Sequence, residues 1–443
     1  MKKKKMQKTV GFDSCSTCLE SQNKVSISKI LSSSNYTLIQ YLYNPSTHHL
    51  HSTLHTTHTP INMSVLNLIV VGYGGIGPRH CQSVDACIHT NLFAIIEASP
   101  TPERRHLAQS KFPNTCVFES IQECIDSGVQ IDGAIVCTPN HTHFKVSKEL
   151  IEAGINVLVE KPMCPGLQDA MELKLLAQKR GVKLLVGHHR RFNPFVVATK
   201  NNLPTLGQIV AFDAAWCLKK CDEYFEETDW RGKKSKGGGV IQINVVHDLD
   251  LLMYFLGPLE EVYATEVKKT RQSDDKEDAV EEGVILHLTF TNGVKGTMVV
   301  CDNVVAPNNF EMGTGENPLI PQVNQSNDGI FYRFFGTRGS LSVPDLTLYH
   351  QQGVENPGWW KNIKKETLGG ELDGIPFALQ IEHFARVIIG QEEPKCTAND
   401  GIRVMLAIEA VKESVATGLP AKVPPLTEVI PSTRVSSSRS ARM

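Results

Sequence analysis

The stretch "LNLIVVGYGGIG", Leu66 to Gly77, decides the fold. Its first six residues form a short apolar run, the pattern of a parallel strand buried on both faces. The run enters a turn with Gly72, Gly74 and Gly77 in GxGxxG register. Each glycine answers a separate demand: a tight turn, close approach of a pyrophosphate to the backbone, and close packing of helix on strand. The phosphate is expected on free N–H groups where Gly75 and Ile76 lead into the helix. Pro78 suits the first helical turn, where a missing donor costs little. The next strand-like run, "LFAIIE", ends at Glu97, twenty residues after Gly77. An acid at that distance is expected to hold the adenosine ribose hydroxyls. It also repels a 2′-phosphate, so NAD is expected rather than NADP, with Arg104 and Arg105 nearby as the opposing signal.

The alternation continues downstream. "IDGAIVC" (Ile131–Cys137) reads as a strand ending in Thr138, Pro139 and Asn140, followed by a helix through His143 to Ala153. "INVLVE" (Ile155–Glu160) is another strand, leading into Lys161-Pro162. A helix from Leu167 to Arg180 and the strand "VKLLVG" complete the pattern. In open parallel sheets, ligands bind beyond the carboxyl ends of the strands. Gly72–Gly77, Glu97, Thr138–Asn140, His143 and Glu160-Lys161 therefore converge on one crevice, although they are far apart in the chain.

At 443 residues the chain is long enough for two domains. It is 41% hydrophobic and 21% charged with net charge −2, which gives no electrostatic reason to expect nucleic acid or a membrane surface. No apolar run reaches the ~20 residues of a bilayer-spanning helix. The 12 cysteines are scattered through mostly apolar segments, as reduced thiols are. Cys15 and Cys18 form a lone CxxC without a second pair, and no metal is expected. Residues 1–62 differ from the rest: seven Lys against two acids give +5, leaving −7 for Met63 onward. They are polar and carry His48, His49, His51, His55 and His58 in one tract. The expectation is a disordered extension, or a segment outside the natural product, with Met63 as a plausible start. Residues 426–443 read as a flexible tail. An intracellular, cytoplasmic protein is expected, with the peroxisome as the alternative because Ala441-Arg442-Met443 has the small–basic–apolar form of a C-terminal address.

"GYGGIG", "CTPNHTH", "VLVEKP", "GHHRRFNP" and a helix from Gly238 to Asp250, in that order, resemble the Gfo/Idh/MocA family of NAD(P)-dependent oxidoreductases. The resemblance covers Leu66 to Gly418. It implies an α/β fold: a Rossmann doubly wound parallel sheet (63–187), then an α/β domain built on a large open, mainly antiparallel sheet (188–425). Strand-like runs at Gln208–Trp216, Glu260–Val267, Gly283–Thr291, Val294–Val300, Gly329–Phe335 and Gly339–Val343 fit that second domain. In the family the exposed sheet face commonly mediates dimers or tetramers, so a homo-oligomer is implied. The implied activity moves a hydride between nicotinamide and a secondary alcohol or ketone of a sugar, cyclitol or related polyol. NAD-assisted non-redox sugar chemistry and a non-catalytic, cofactor-sensing binding protein are the alternatives. Lys161 maps onto the family lysine that contacts both the substrate hydroxyl and the nicotinamide side. A partly buried ammonium beside a nicotinamide cation has a lowered pKa and can pass a proton.

The second catalytic candidate is His247, in "GGGVIQINVVHDLDLLMYFLG" (Gly237–Gly257). Helical spacing puts Asn244, His247 and Asp250 on one face and Asp248 a quarter-turn aside. Asp250 is expected to orient the imidazole, and Asn244 and Asp250 to bind substrate. Many relatives place an Asp four residues before this His; here that position is Ile243. Arg190 is expected to contact substrate. Asn309, Glu311 and Glu316 are further hydrogen-bonding candidates. Trp359 and Trp360 are expected either on a sugar ring or half-buried at a sheet edge, Trp230-Arg231 in a lid, and His383 in the structural core.

Overall fold

The computed structural model describes residues 65–429, apart from 100, 229, 272–276, 318, 324–328 and 370–371. The extension 1–62, with its His tract and Cys15-Cys18, and the Ala441-Arg442-Met443 terminus lie outside the described residues. The expected tail from 426 begins as a short helix, Leu426–Val429.

Six strands form the first sheet: β1 (Leu66–Val71), β2 (Thr90–Ile96), β3 (Cys116–Phe118), β4 (Gly133–Val136), β5 (Asn156–Val159) and β6 (Leu184–Val186). All neighbours are parallel, in the order β3-β2-β1-β4-β5-β6. The order reverses between β1 and β4, which opens a crevice at their carboxyl ends. Leu68, Ile69 and Val70 are wholly buried because helices cover both faces. Among those helices are α1 (Gly77–Ala86), α2 (His143–Glu152) and α3 (Leu167–Arg180). α3 stops where Gly181 turns left-handed at φ 70°.

The second sheet holds β7 (Ile209–Cys217), β8 (Leu259–Glu266), β9 (Gly283–Phe290), β10 (Lys295–Cys301), β11 (Tyr332–Gly336), β12 (Gly339–Val343), β13 (Thr347–His350), β14 (Lys364–Thr367) and β15 (Ala421–Lys422). Its order is β14-β13-β12-β11-β7-β10-β9-β8-β15. The β10–β7 pair is parallel and the other pairs are antiparallel. One face packs on α4 (Val246–Leu256), whose Leu249, Leu251 and Leu252 are fully buried in the sheet's core. Alternate positions face away from that core. There Tyr263, Ile285, Val299, Phe335 and Tyr349 are 39–46% exposed.

The chain beyond residue 188 contributes to both cores. Helix α5 (Phe310–Thr314) stays with the second sheet, but the last two long helices, α6 (Pro376–Ile388) and α7 (Ala398–Thr417), return to the first. α6 puts Ile381, Phe384, Ala385 and Val387 into the core beneath Leu68 and Val70. α7 sets Ala398, Ile402 and Leu406 on the opposite face and turns Val404, Ala407 and Val411 to the second sheet. By length and composition Lys234–Leu256 alone among the described helices matches a bilayer span, against expectation, yet its apolar window is 78% buried as a core helix. Nine of the described cysteines are free thiols.

Candidate active site

A cleft of about 360 Å³ opens beyond the carboxyl ends of β4 and β5. Ile76, Arg79, Thr138, Asn140, Glu160 and Lys161 line its dinucleotide side. His189, Arg190, His247, Glu311, Glu316 and Phe377 line the other. Of the residues foreseen at strand ends, Ile76, Thr138, Asn140, His143, Glu160 and Lys161 line this cleft, while Glu97 and the motif glycines do not.

The glycine turn explains itself in two halves. Gly72 has φ 97°, and a Cβ there would lie 2.9 Å from the Cys137 carbonyl oxygen; at Gly77 it would lie 2.1 Å from that of Gly72. The protein's own packing thus requires both. At Gly74 an added Cβ meets only Arg104 Nη1, at 4.0 Å, and at Gly75 nothing within 4 Å. Those two glycines leave open space beside a helix start at Ile76 that no side chain caps. The cradle fits a dinucleotide pyrophosphate. Glu97 is buried; one oxygen accepts Tyr73 N–H at 2.7 Å and the other Ser99 N–H at 2.9 Å. Each oxygen keeps a lone pair for a ribose hydroxyl.

After β4, Thr138 and Asn140 reach the cleft. Pro139 does not line it, and instead sets the extended turn (φ −57°, ψ 142°) that presents them. The His143 ring is spanned between two carbonyl oxygens, Pro162 O at 2.8 Å from Nδ1 and Thr138 O at 2.9 Å from Nε2. Burial lowers its pKa. His143 therefore sits between two cofactor-side loops, its neutral ring donating to one of the two carbonyls, rather than offering a free nitrogen to the cofactor.

Lys161 stands at the end of β5, its ammonium desolvated so that its pKa falls, with the charge of Glu160 the first to oppose that fall. Burial pushes the Glu160 carboxyl up, but the hydrogen bond and charge of His80, with His189 and Lys161, outweigh burial and bring it down to about 2. Arg190 is buried, its guanidinium paired with Glu311 and Glu316 and lying 4.3 Å from the Phe310 ring centroid. Glu311 is held from its other oxygen by the Trp216 indole N–H at 2.9 Å. Glu316 also pairs with His189, which stacks on Phe377 at 4.2 Å.

His247 faces the cleft as expected, but its predicted helpers do not. Asp250 is turned away and gripped by Arg191, whose Nε lies 3.0 and 3.1 Å from its two oxygens. Asn244 points elsewhere too, accepting from Lys220 Nζ at 2.8 Å. For Asn244 the physical reason is a π-helical turn, Ile241–Val245, between the triple glycine and α4, whereas Asp250 keeps its α-helical place after His247 and is drawn off by Arg191. The wider π-turn breaks the three-and-four spacing that an α-helix would have kept. The turn is anchored by Glu281, which accepts Ile241 N–H at 2.8 Å. Without a carboxylate at its back, His247 Nδ1 is buried and unpartnered among the described residues. Burial, then Lys161, Arg190, His189 and His188, hold its pKa well below the ordinary imidazole range.

Of the weaker candidates, Glu311 and Glu316 join the cleft, whereas Asn309 caps α5 by accepting Met312 N–H at 2.9 Å. Arg231 packs 4.2 Å over the Tyr224 ring and, like Trp230, does not line the cleft. Trp359 and Trp360 are 84% and 79% exposed between β13 and β14, neither half-buried nor in the cleft. His383 is buried beside Glu392 and accepts Lys395 N–H, as a structural histidine does. Sequence reasoning missed Arg79, His80, Phe377 and the buried Asp248–Tyr332 pair. Arg79 and His80 follow the glycine motif directly, so their place in the first helical turn was a usable signal. Phe377 had none, since the contact is created by a helix from the far end of the chain.

A doubly wound dinucleotide domain sharing its cleft with an open-sheet α/β domain defines the class: an oxidoreductase of the NAD-binding Rossmann type. Residues 66–188 match the model for "Oxidoreductase family, NAD-binding Rossmann fold" and residues 203–423 that for its C-terminal alpha/beta domain. The chain belongs to the Gfo/Idh/MocA oxidoreductase family. The uncharacterized oxidoreductase YrbE of Bacillus subtilis is 26% identical over 357 residues, covering 80% of this chain and 95% of its own. A 2,7-anhydro-N-acetylneuraminate hydratase of Mediterraneibacter gnavus is 22% identical, over 80% of this chain and 93% of its own. Inositol 2-dehydrogenase of Corynebacterium glutamicum is 26% identical, over 52% of this chain and 65% of its own. Among solved structures, the WlbA dehydrogenase of Bordetella pertussis, in complex with NADH and UDP-GlcNAcA, superposes with a TM-score of 0.64. It is 20% identical and covers 83% of this chain and 100% of its own.

Proposed function

We propose that the protein is an NAD(H)-dependent dehydrogenase or reductase acting on a secondary alcohol or ketone of a sugar, cyclitol or related polyol. One observation carries the reading: Lys161, just past β5, and His247, on α4, share a cleft with the buried carboxylates Glu311 and Glu316. When bound, the nicotinamide accepts or supplies the hydride. The chain's own residues manage the proton and the hydroxyls. Lys161, with a lowered pKa, exchanges a proton with the reacting oxygen at Nζ. An imidazolium at His247 beside Lys161 and Arg190 is strongly disfavoured, so His247 acts as a neutral hydrogen-bonding partner and the proton rests on Lys161. Glu311 and Glu316, fixed by Arg190, offer acceptors to further hydroxyls. The Glu97 carboxylate favours NAD over NADP by repelling a 2′-phosphate. The apolar outward face of the second sheet supports a homo-oligomer, a dimer or tetramer.

The test is NADH absorbance across a polyol and sugar-acid panel, for wild type and Lys161→Ala. Turnover that survives Lys161→Ala within tenfold defeats the proposal. The similarity to a hydratase favours a second reading, net non-redox sugar chemistry with retained cofactor. It predicts product without NADH release.

A further inference from the structure

Behind Lys161 lies a buried pair with no part in the cleft's substrate wall. His80, one turn into α1, is wholly buried, and its Nε2 is 2.7 Å from Glu160 Oε1. The other Glu160 oxygen accepts the Lys161 N–H at 3.1 Å. The His80 ring meets the Phe377 ring edge-on at 5.1 Å, and Nδ1 is buried without a partner among the described residues. An apolar side chain would fill that space and leave no orphaned nitrogen. A buried polar group kept at such a cost calls for an explanation through the one contact it does make.

That contact governs the charge beside Lys161. Glu160 is faced by His80 from α1, His189 from the turn after β6, Lys161, and the nearby His143 and Cys137. Lys161 is faced by Glu160, Arg190, Glu316 and Glu311, and by His143, His188 and His247. Glu311 and Glu316, already paired with Arg190, act on Lys161 less than Glu160 does. Glu160 is therefore the anion that decides how readily Lys161 keeps its proton. A buried carboxylate stays ionised only with donors supplied to it.

We propose that His80 is a positioning residue: by holding Glu160 as a carboxylate behind Lys161, it sets the pH range over which Lys161 carries its proton. The inference rests on reading Lys161 as the proton carrier. When His80 is replaced by a side chain without a donor, Glu160 takes up a proton more readily. Lys161 then loses its main counter-charge and releases its proton at lower pH.

The test reads Lys161 directly and needs no turnover. The full-length protein is reductively methylated with ¹³C-formaldehyde, the Lys161 signal is assigned by its loss in Lys161→Arg, and its chemical shift is followed against pH. Relative to wild type, the midpoint in His80→Leu should fall by about one pH unit, a tenfold change in the proton equilibrium. His80→Gln, which restores a donor, should recover most of it. Glu160→Gln should reproduce the fall, and stands in if His80→Leu does not fold. An unchanged midpoint in folded His80→Leu or Glu160→Gln overturns the inference. Full activity in Lys161→Ala defeats the functional reading instead, and leaves the titration result standing.

Discussion

Replacing Gly74 with Ala separates what the glycine turn does for the fold from what it does for the cofactor. The added Cβ at Gly74 meets nothing nearer than Arg104 Nη1 at 4.0 Å, and the residue does not adopt a positive φ. The apoprotein should be unharmed, or stabilised by ~0.4–1 kcal/mol because the unfolded chain loses freedom. The same methyl stands where a pyrophosphate must approach the backbone, so NAD affinity should fall by roughly a hundredfold, about 2.7 kcal/mol. In a thermal-shift assay, NAD at about 100 times its wild-type Kd stabilises by ~2.7 kcal/mol. At about 2–4 °C per kcal/mol, that is a rise of roughly 5–10 °C. In Gly74→Ala the same NAD concentration should give about 1 °C. Gly77→Ala is the control, because its Cβ would lie 2.1 Å from the Gly72 carbonyl oxygen and must lower the apo Tm itself. A full NAD shift in Gly74→Ala, or an apo Tm several degrees below wild type, refutes the assignment of the open half of the turn.

Asp250→Ala leaves buried Arg191 with only Asp400, at 3.6 Å, as a counter-charge, and should cost roughly 3 kcal/mol in urea unfolding while specific activity per folded molecule stays near wild type. A collapse of kcat with unchanged stability would return Asp250 to the cleft. The Asp248 carboxyl is raised to about 7, by burial first, against the opposing pull of Arg190 and its hydrogen bond from Tyr332. A carboxyl whose pKa is raised on folding costs stability as pH climbs from its unfolded value near 4 to about 7. Asp248→Asn should therefore gain on wild type across that window and hold its advantage above it, measured as the Tm difference at each pH. Phe377→Ala removes the ring shared by Arg79, His80 and His189, and should cost about 3–5 kcal/mol together with NAD affinity. Val299→Glu with Ile285→Lys, a directly paired outward couple, should convert an oligomer to monomers in light scattering if the open face is the interface.

The first sheet was legible because strands buried on both faces are written as unbroken apolar runs, and α3 was found at its true bounds, Leu167–Arg180. β3 escaped because only one of its three residues is buried, whereas the equally short β6 is buried throughout and sits in a longer apolar run. In the second half, β12 was placed at Gly339–Val343, but the short outer strands β13, β14 and β15 carry too few residues to show alternation. Lys161 and His247 could be named from local motifs. The place of Asn244 could not, since a π-turn depends on glycines packing against Glu281 and the Trp230–Arg231 backbone, which α-helical periodicity does not encode, and the capture of Asp250 by Arg191 is a tertiary contact. Arg190 was found, yet its lock on Glu311 and Glu316 is tertiary.

The return of α6 and α7 to the first sheet has a consequence for synthesis on the ribosome. The last strand of that sheet, β6, ends at Val186, whereas α7 ends at Thr417. At about 5–20 residues per second, the intervening chain takes roughly ten to fifty seconds to emerge. For most of that interval, until Ile388 is made, the face bearing Leu68, Val70 and Ile135 lacks the side chains of α6 that cover it in the finished protein. The nascent dinucleotide half is therefore expected to need chaperones, and a message truncated before codon 376 should yield a fragment that aggregates rather than a smaller cofactor-binding protein.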